Sequence, residues 1–400
     1  MVAIEERVFI AGAGPVGMTA AARLVGSGVP VTVFEGGDDL STESRASTFH
    51  PSTLDMLEDL GATQGLERHG LRARYLQYRS KSEGILARFD FDEIADLTRH
   101  PYRLQCEQWR LTRVLYDLMK DDPNFELLFG HSVEGCAQDH DGVTVNARAV
   151  DKTMSRKARF LIGADGASSK VRAALGIEFE GFTWPDRFLV LSTPFDFSEQ
   201  IPDLDIVSYV ADPKQWHFFL KIPGLWRVML PISAEMPDDA ALDEAYGRRC
   251  LDGVLAGAGG AEIRHRTLYR VHQRVAKTFR DKRAFLVGDA AHINNPLGGM
   301  GMNGGIHDAV NLTGLLAKVW NGQIDIEQLG LYDRQRRTVT LDAVQKQTIQ
   351  NKKDLEAASA ADQADFRSRL HRALATEDGT RAYLERLAML ASLKQAAAIT

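Results

Sequence analysis

Three clusters of glycine and acidic residues have types and spacings that can act on a ligand. Gly12-Ala13-Gly14-Pro15-Val16-Gly17 is followed by an acid at Glu35 and then by Gly36. Gly163-Ala164-Asp165-Gly166 runs into Ala167-Ser168-Ser169-Lys170-Val171-Arg172. Leu286-Val287-Gly288-Asp289-Ala290-Ala291-His292 precedes Pro296-Leu297-Gly298-Gly299-Met300-Gly301-Met302-Asn303-Gly304-Gly305. In the first cluster, glycines permit a tight turn and a close backbone approach to a pyrophosphate. A helix starting there offers unpaired N–H groups and a positive dipole end to the phosphate charge. A carboxylate at Glu35 can then accept hydrogen bonds from a ribose.

That chemistry needs a βαβ frame, and the flanking residues predict one. Residues 7–11 are a short apolar, β-branched and aromatic run that stops at glycine, which reads as a parallel strand. Residues 15–27 are alanine-rich and helical, with Gly28 as the closing glycine, and residues 29–35 form the second strand. Residues 44–61 read as a loop and then a helix, with Leu54, Leu57 and Leu60 at helical spacing and Ser52 to Asp55 offering a cap. Residues 108–119 are a further helix. The middle of the chain changes character: residues 206–211, 216–222 and 226–232 alternate or run apolar between turn signals at Asp212-Pro213 and Pro223-Gly224. This predicts an antiparallel meander between the second and third clusters, so the domain carrying the clusters is discontinuous. Gly257 to Gly260 lacks a preceding strand and reads as a loop. Beyond Asp308 the chain is helical, with Val310, Leu312, Leu315, Leu316 and Val319 on one helix. Residues 338–400 are rich in alanine, lysine, glutamate and leucine, which predicts helices that pack on the first domain or pair between subunits.

The three clusters in this order resemble the single-component flavin-dependent aromatic hydroxylases, the para-hydroxybenzoate hydroxylase-like monooxygenases, over roughly residues 5 to 340. The resemblance implies an α/β fold: a discontinuous Rossmann-like FAD-binding domain, an inserted antiparallel β-sheet substrate domain, and C-terminal helices. It places the FAD-binding domain at 1–75, 101–180 and 276–340, the substrate domain at 76–100 and 181–275, and a helical segment at 341–400. FAD is the implied cofactor, with NADH or NADPH as co-substrate. Gly12, Gly14, Pro15, Val16, Gly17, Glu35 and Gly36 would hold its adenosine and pyrophosphate end. Asp289 would bind the ribityl hydroxyls, and Gln108 and Arg45 would lie against the cofactor, Arg45 near the substrate also. Asp165 would sit near FAD and the approach of the nicotinamide, in a loop positioned by Ser169 and Arg172. Pro296, Gly299, Gly301, Met302 and Asn303 would bring backbone N–H groups to the flavin ring, where a helix dipole favours negative charge on the reduced cofactor. Tyr332 to Arg337 resembles the closing helix of the family.

The implied reaction is hydroxylation of a small aromatic compound. NAD(P)H reduces the flavin, O2 adds to give a C4a-hydroperoxide, and an electron-rich ring takes the distal oxygen. A phenol titrates near about 10, so its deprotonation would raise its nucleophilicity. The carbonyl of Pro296 takes part in that activation in the family. Within the meander, His217, Phe219 and Lys221 alternate with Trp216, Phe218, Leu220 and Ile222. One face could line the substrate, with Tyr209, His217 or Arg227 contacting a phenol or carboxylate, or the polar set could face solvent. Residues 269–276 resemble the segment before the third cluster in hydroxyphenylpropionate-type hydroxylases, which points to a phenolic or heteroaromatic, possibly acidic, substrate.

Other classes are weighed against this. A flavin-dependent halogenase would carry Trp-x-Trp-x-Ile-Pro; here Leu220-Lys221-Ile222-Pro223 has the Ile-Pro without the tryptophans. A non-oxygenating flavin reductase and a degenerate FAD-binding protein are the remaining alternatives. Intact Asp165, Asp289 and residues 298–303 argue against decay. A net charge of −6 argues against nucleic acid as a partner. The three cysteines, Cys106, Cys136 and Cys250, fit no metal spacing and no disulfide framework. The apolar stretch 8–26 follows Glu5 and Glu6 and contains Arg23, so neither a signal peptide nor a membrane span is expected. The expected setting is cytoplasmic, with a homodimer as the oligomeric form considered.

Overall fold

The structure is a computed structural model that describes residues 3–43, 46–149, 152–212, 215–357 and 359–400. Its first sheet has eight strands. The parallel heart runs Ala284–Leu286, Lys152–Gly163, Ile4–Ala11, Val31–Phe34 and Phe125–Leu128. Ser132–Gln138 and Val143–Ala149 extend it in antiparallel fashion along the early half of Lys152–Gly163. Val8, Phe9 and Ile10 are fully buried, as are Val31 and Val33, in one core with the helix Pro15–Val25 and with Val133, Val143 and Val145 of the antiparallel extension. The expected first strand is longer than its apolar run and begins at Ile4.

The helix Pro15–Val25 packs against Gln108–Met119 and Met300–Trp320. Its contacts are small and apolar (Met18, Ala20, Ala21 and Leu24), and they meet Leu111, Leu115, Ile306 and Leu312 in one core. Gly26, not Gly28, is its C-cap, and Gly28 takes the left-handed turn that follows, at φ +74°. The helix expected here begins at Pro51 with His50 as N-cap, so Ser52 is inside it rather than capping it. Proline is favoured at the first helical position, where its fixed φ suits the helix and its missing N–H is one the helix leaves unpaired anyway.

The second sheet also has eight strands. Its centre is Phe179–Thr193, paired with His265–Ala276 on one side and Leu225–Ile232 on the other. His217–Ile222 and Val207–Ala211 continue it, then Tyr75–Ser80 and Gly84–Asp90. One pair departs from the antiparallel expectation: Val207–Ala211 runs parallel to Tyr75–Ser80. The two faces carry separate cores. Phe188, Val190, Tyr209, Leu220 and Met229 face the flavin-type domain and the C-terminal helices, while Leu189, Leu191, Phe219, Trp226 and Val228 face the helix Glu244–Val254. A small third sheet joins Thr48–Phe49, Arg103–Gln105 and Leu71–Ala73.

The last quarter is helical, as expected. A π-helical stretch, Thr340–Gln345, links Gly330–Val339 to Lys346–Glu356. The chain ends with Ala360–Leu374, Glu377–Leu387 and Leu390–Ala397. Among the described residues no helix is long and apolar enough to cross a membrane.

Candidate functional site

The first strand stops at Gly12, whose φ is +99°. A Cβ there would lie 2.6 Å from the carbonyl oxygen of Ala164, and one at Gly17 only 2.0 Å from that of Gly12. Gly14 is the N-cap of Pro15–Val25, with open space where its Cβ would point. No side chain caps this helix and no acid sits in its first turn. Its N-terminal N–H groups are therefore suited to an anion. Glu35 ties the turn to the second strand, accepting from Ala13 N and from Gly37 N, each at 2.9 Å. Gly36 is exposed beside it. Val16 packs against Gly288 and Gly305, where a Cβ would come within 3.0 and 2.6 Å of its methyl groups. One apolar side chain thus seats the first cluster on the third.

In the second cluster one Asp165 oxygen accepts from Lys170 N (2.7 Å) and Val171 N (3.1 Å). The other oxygen is buried and has no partner. Ser169 caps the short helix Lys170–Ala174 by accepting from Arg172 N. Arg172 donates to Ala290 O at 2.9 Å and Ala167 O at 2.7 Å, and lies 3.8 Å over the Phe179 ring. It joins the second cluster to the third.

In the third cluster Asp289 is exposed between buried Gly288 and Ala290. Gly298 (φ +104°) and Gly299 (φ +68°) turn the chain into the helix Met300–Trp320, which again has neither a capping side chain nor a first-turn acid. The N–H groups of Gly301 and Met302 belong to that first turn. Pro296 O accepts from Gly299 N at 3.0 Å, which leaves a second lone pair for another donor. Asn295 holds the loop from behind, accepting from Leu297 N and donating to Thr348 O.

The side chain of Asn303 has a structural task beside the expected one of its backbone N–H. Its side chain is fully buried, accepts from His50 N (2.9 Å), and donates to Thr48 O (2.8 Å) and Gly299 O (2.7 Å). These bonds pin residues 48–50 against the glycine loop, so the side-chain amide positions that loop. His50, which the motifs did not flag, does the same from the other side. Its Nδ1 lies 2.6 Å from Leu387 O and its Nε2 2.9 Å from Gly298 O. Gln108, the first residue of its helix, accepts from Ala46 N at 3.3 Å, and Ala46 O accepts from Gln108 N at 3.0 Å. Arg45 lies outside the described residues.

Two uncapped helix N-termini, a turn too tight for a side chain at Gly17, an orphaned Asp165 oxygen and the exposed Asp289 are the donors and acceptors that the three linked clusters offer. That set suits a dinucleotide with a polyhydroxyl linker, so the residues present fit FAD.

The flavin-type loop abuts the inner face of the second sheet. Arg227 Nη1 donates to Ser47 Oγ at 3.0 Å, and Tyr209 shares a small cavity with Gly298. Tyr209 stacks between Tyr78 and Phe218. His217 does not join them. Tyr209 pairs with Phe218 and Val210 with His217, so His217 projects from the opposite face, where it meets Phe219 edge-on. It cannot share a substrate with Tyr209 because neighbouring residues on a strand face opposite ways. Burial lowers the His217 pKa to about 4, and that of His307 to about 3. Both folded values lie below the ordinary value near 6.5, so their contribution to stability is complete above that pH and is lost as pH falls toward 4. The unfolding free energy of a His217→Gln protein should therefore be flatter with pH than wild type, by up to about 1.4 kcal/mol per pH unit between pH 6 and 4. Urea unfolding across that range measures it, and parallel curves would show that His217 does not titrate on unfolding.

Comparison with known proteins agrees with this geometry. The family model described as an FAD binding domain matches residues 5–347. Para-nitrophenol 4-monooxygenase of Pseudomonas sp. (strain WBC-3) is 33% identical over 346 residues, covering 84% of each chain. The 6-hydroxy-3-succinoylpyridine 3-monooxygenase HspB of Pseudomonas putida (strain DSM 28022 / S16) is 29% identical, covering 88% of this chain and 89% of that one. The crystal structure of p-nitrophenol 4-monooxygenase PnpA from Pseudomonas putida DLL-E4 superposes with a TM-score of 0.90 at 29% identity, over 97% of this chain and 99% of that one. With the family model spanning most of the chain and the whole fold shared, this protein belongs to the FAD-binding-domain family of flavin-dependent aromatic monooxygenases.

Proposed function

We propose that this chain hydroxylates a small phenolic or heteroaromatic compound at the inner face of its second sheet, using NADH or NADPH and O2. The observation that carries this reading is the junction of the glycine loop with the aromatic face: Gly298 and Tyr209 line one cavity, and Ser47 and Arg227 are hydrogen-bonded. The names of the relatives, which act on para-nitrophenol and on a hydroxypyridine, support the substrate class.

Bound FAD supplies the redox and oxygen chemistry. The chain's own residues bind and orient it. Gly12, Gly14, Pro15, Val16 and Gly17 form the pyrophosphate turn, Glu35 takes the ribose, and Asp289 the ribityl chain. Asp165 and Gln108 hold the edges, and the first turn at Gly301 and Met302 directs N–H groups at the ring, where they favour negative charge. Pro296 O accepts from Gly299 N and, with its second lone pair, would accept a hydrogen bond from a substrate hydroxyl. In this reading residues 1–75, 101–180 and 276–340 bind FAD, and 76–100 with 181–275 bind substrate. The free cysteines suit a reducing cytoplasm.

The test is NADH and NADPH oxidation by the yellow holoprotein across phenols and hydroxypyridines, with mass spectrometry of products. A substrate-stimulated rate with gain of one oxygen atom is expected. Oxidation with no oxygenated product from any compound would favour a reductase instead.

A further inference from the structure

His50 is held between carbonyl oxygens on both sides of its ring. It is fully buried; its Nδ1 lies 2.6 Å from Leu387 O, and its Nε2 lies 2.9 Å from Gly298 O and 3.1 Å from Gly299 O. A neutral imidazole has one N–H, and its other nitrogen carries a lone pair. Carbonyl oxygens only accept, so one proton cannot serve both sides of this ring. An imidazolium, with an N–H on each nitrogen, satisfies the whole set.

The two sides lead to different parts of the molecule. Leu387 ends the helix Glu377–Leu387, and its carbonyl also accepts from Arg103 Nη2 at 3.1 Å. Ala388 O accepts from Ser52 Oγ at 2.7 Å, so that side is anchored without His50 as well. The shortest separation is the one at Nδ1, where two facing lone pairs would repel most, so the neutral ring carries its proton there. Nε2 is then the bare nitrogen. It faces Gly298 and Gly299, which turn the chain into the helix whose first N–H groups would meet the flavin.

Solvation and charge oppose a second proton. Burial, then the Arg103 charge from the strand Arg103–Gln105, hold the His50 pKa well below the ordinary value, and His307 of Met300–Trp320 adds to them in the same sense. The bonds to Leu387 O and Gly298 O pull the other way. Asp308, next to His307, is committed to His292 and Arg336. Negative charge arriving at the glycine loop, as on reduction of a flavin held there, tips this balance toward the cation. A cavity with room for about one water is lined by both Gly298 and Leu387, which gives a proton carrier a place beside the contact.

We propose that His50 is a positioning residue that takes up a proton at Nε2 when the bound flavin is reduced, and thereby clamps the glycine loop in the reduced state. The reductant gives the flavin two electrons. One proton goes to the flavin, and a second, from solvent, forms the new N–H at Nε2. This rests on the flavin reading of the glycine loop and not on hydroxylation.

The experiment uses the FAD-loaded protein under argon, reduced with dithionite, which is oxidised to sulfite. Nitrogen-15 NMR of the histidine rings, with His50 assigned by its loss in His50→Gln, follows the ring in both states at about pH 7. The oxidised protein should show one protonated nitrogen, Nδ1, and the reduced protein two. The second readout is the flavin midpoint potential over about pH 6–8. Wild type should take up two protons with two electrons, so its potential should fall with pH about twice as steeply as that of His50→Gln, which takes up one. A merely structural role would move the potential and leave that slope alone. If His50→Gln does not retain FAD, His50→Asn takes its place in both measurements. A ring with one proton in both states, a ring already doubly protonated when oxidised, or equal slopes in wild type and variant would overturn the assignment. Failure to oxygenate any aromatic compound would sink the hydroxylase reading and leave this one standing, since dithionite reduction needs neither substrate nor O2.

Discussion

Asp308→Ala is expected to cost about 3–5 kcal/mol of folding stability and to release FAD. Asp308 is fully buried in the helix Met300–Trp320. Its Oδ1 pairs with Arg336 Nε at 2.7 Å; its Oδ2 lies 2.7 Å from His292 Nε2 and accepts from Gly288 N at 3.1 Å. Arg336 and His292 are each 1% exposed. Removing the carboxylate strands a buried guanidinium with only Gly304 O, at 3.3 Å, to receive it. The breakage is large because the partner charge stays buried, not because the intact pair is strongly favourable. Burial pushes the Asp308 carboxyl up, yet His292 and Arg336 outweigh it and hold its pKa below the ordinary value near 3.8. This contribution is therefore present above about pH 4 and is lost only as pH falls further. The same carboxylate holds Gly288, the residue before Asp289, so the turn that presents Asp289 loosens with it. Denaturant unfolding of the FAD-free and FAD-loaded variant would measure both effects. A loss under about 1 kcal/mol would mean that His292 and Arg336 find other partners.

Much of this frame was legible because it is written locally. Gly12 and Pro15 mark the end of a strand and the first turn of a helix through backbone requirements that no neighbour can change. The meander was legible because short apolar or alternating runs stand between the turn signals Asp212-Pro213 and Pro223-Gly224, although both faces of its sheet are buried. What failed was parity and distance. The side of the sheet that His217 occupies depends on its pairing with Val210, and register is not written in one strand. Asn303, His50 and Arg103 do their work through partners 255, 248 and 284 positions away. A single asparagine, histidine or arginine carries no local period that announces such a partner. Arg103 in particular stands in Tyr102-Arg103-Leu104-Gln105 with nothing to separate it from a surface arginine. Its burial and its hydrogen bond to Leu387 O are set by tertiary packing alone.

Gly17→Ala should abolish FAD occupancy, and Gly14→Ala should not unfold the protein; the contrast separates two reasons for a glycine. At Gly17 an added Cβ would sit 2.0 Å from Gly12 O and 3.2 Å from Gly12 C, both backbone atoms that cannot rotate away. The start of Pro15–Val25 would have to move off the turn, taking the N–H groups of its first turn out of line with the groove. Such a shift costs about 1–3 kcal/mol or more in a packed core, before the loss of bound cofactor is added. At Gly14 nothing lies within 4 Å of the added Cβ, and φ of −69° suits any residue. That methyl would enter only the open space in front of the helix. If the space belongs to a pyrophosphate, Gly14→Ala keeps wild-type stability without FAD and loses the stabilisation that added FAD confers. Thermal melts of both variants with and without FAD, together with the ratio of flavin to protein absorbance, make the comparison. A Gly14→Ala protein stabilised by FAD as fully as wild type would show that the helix N-terminus meets no phosphate there.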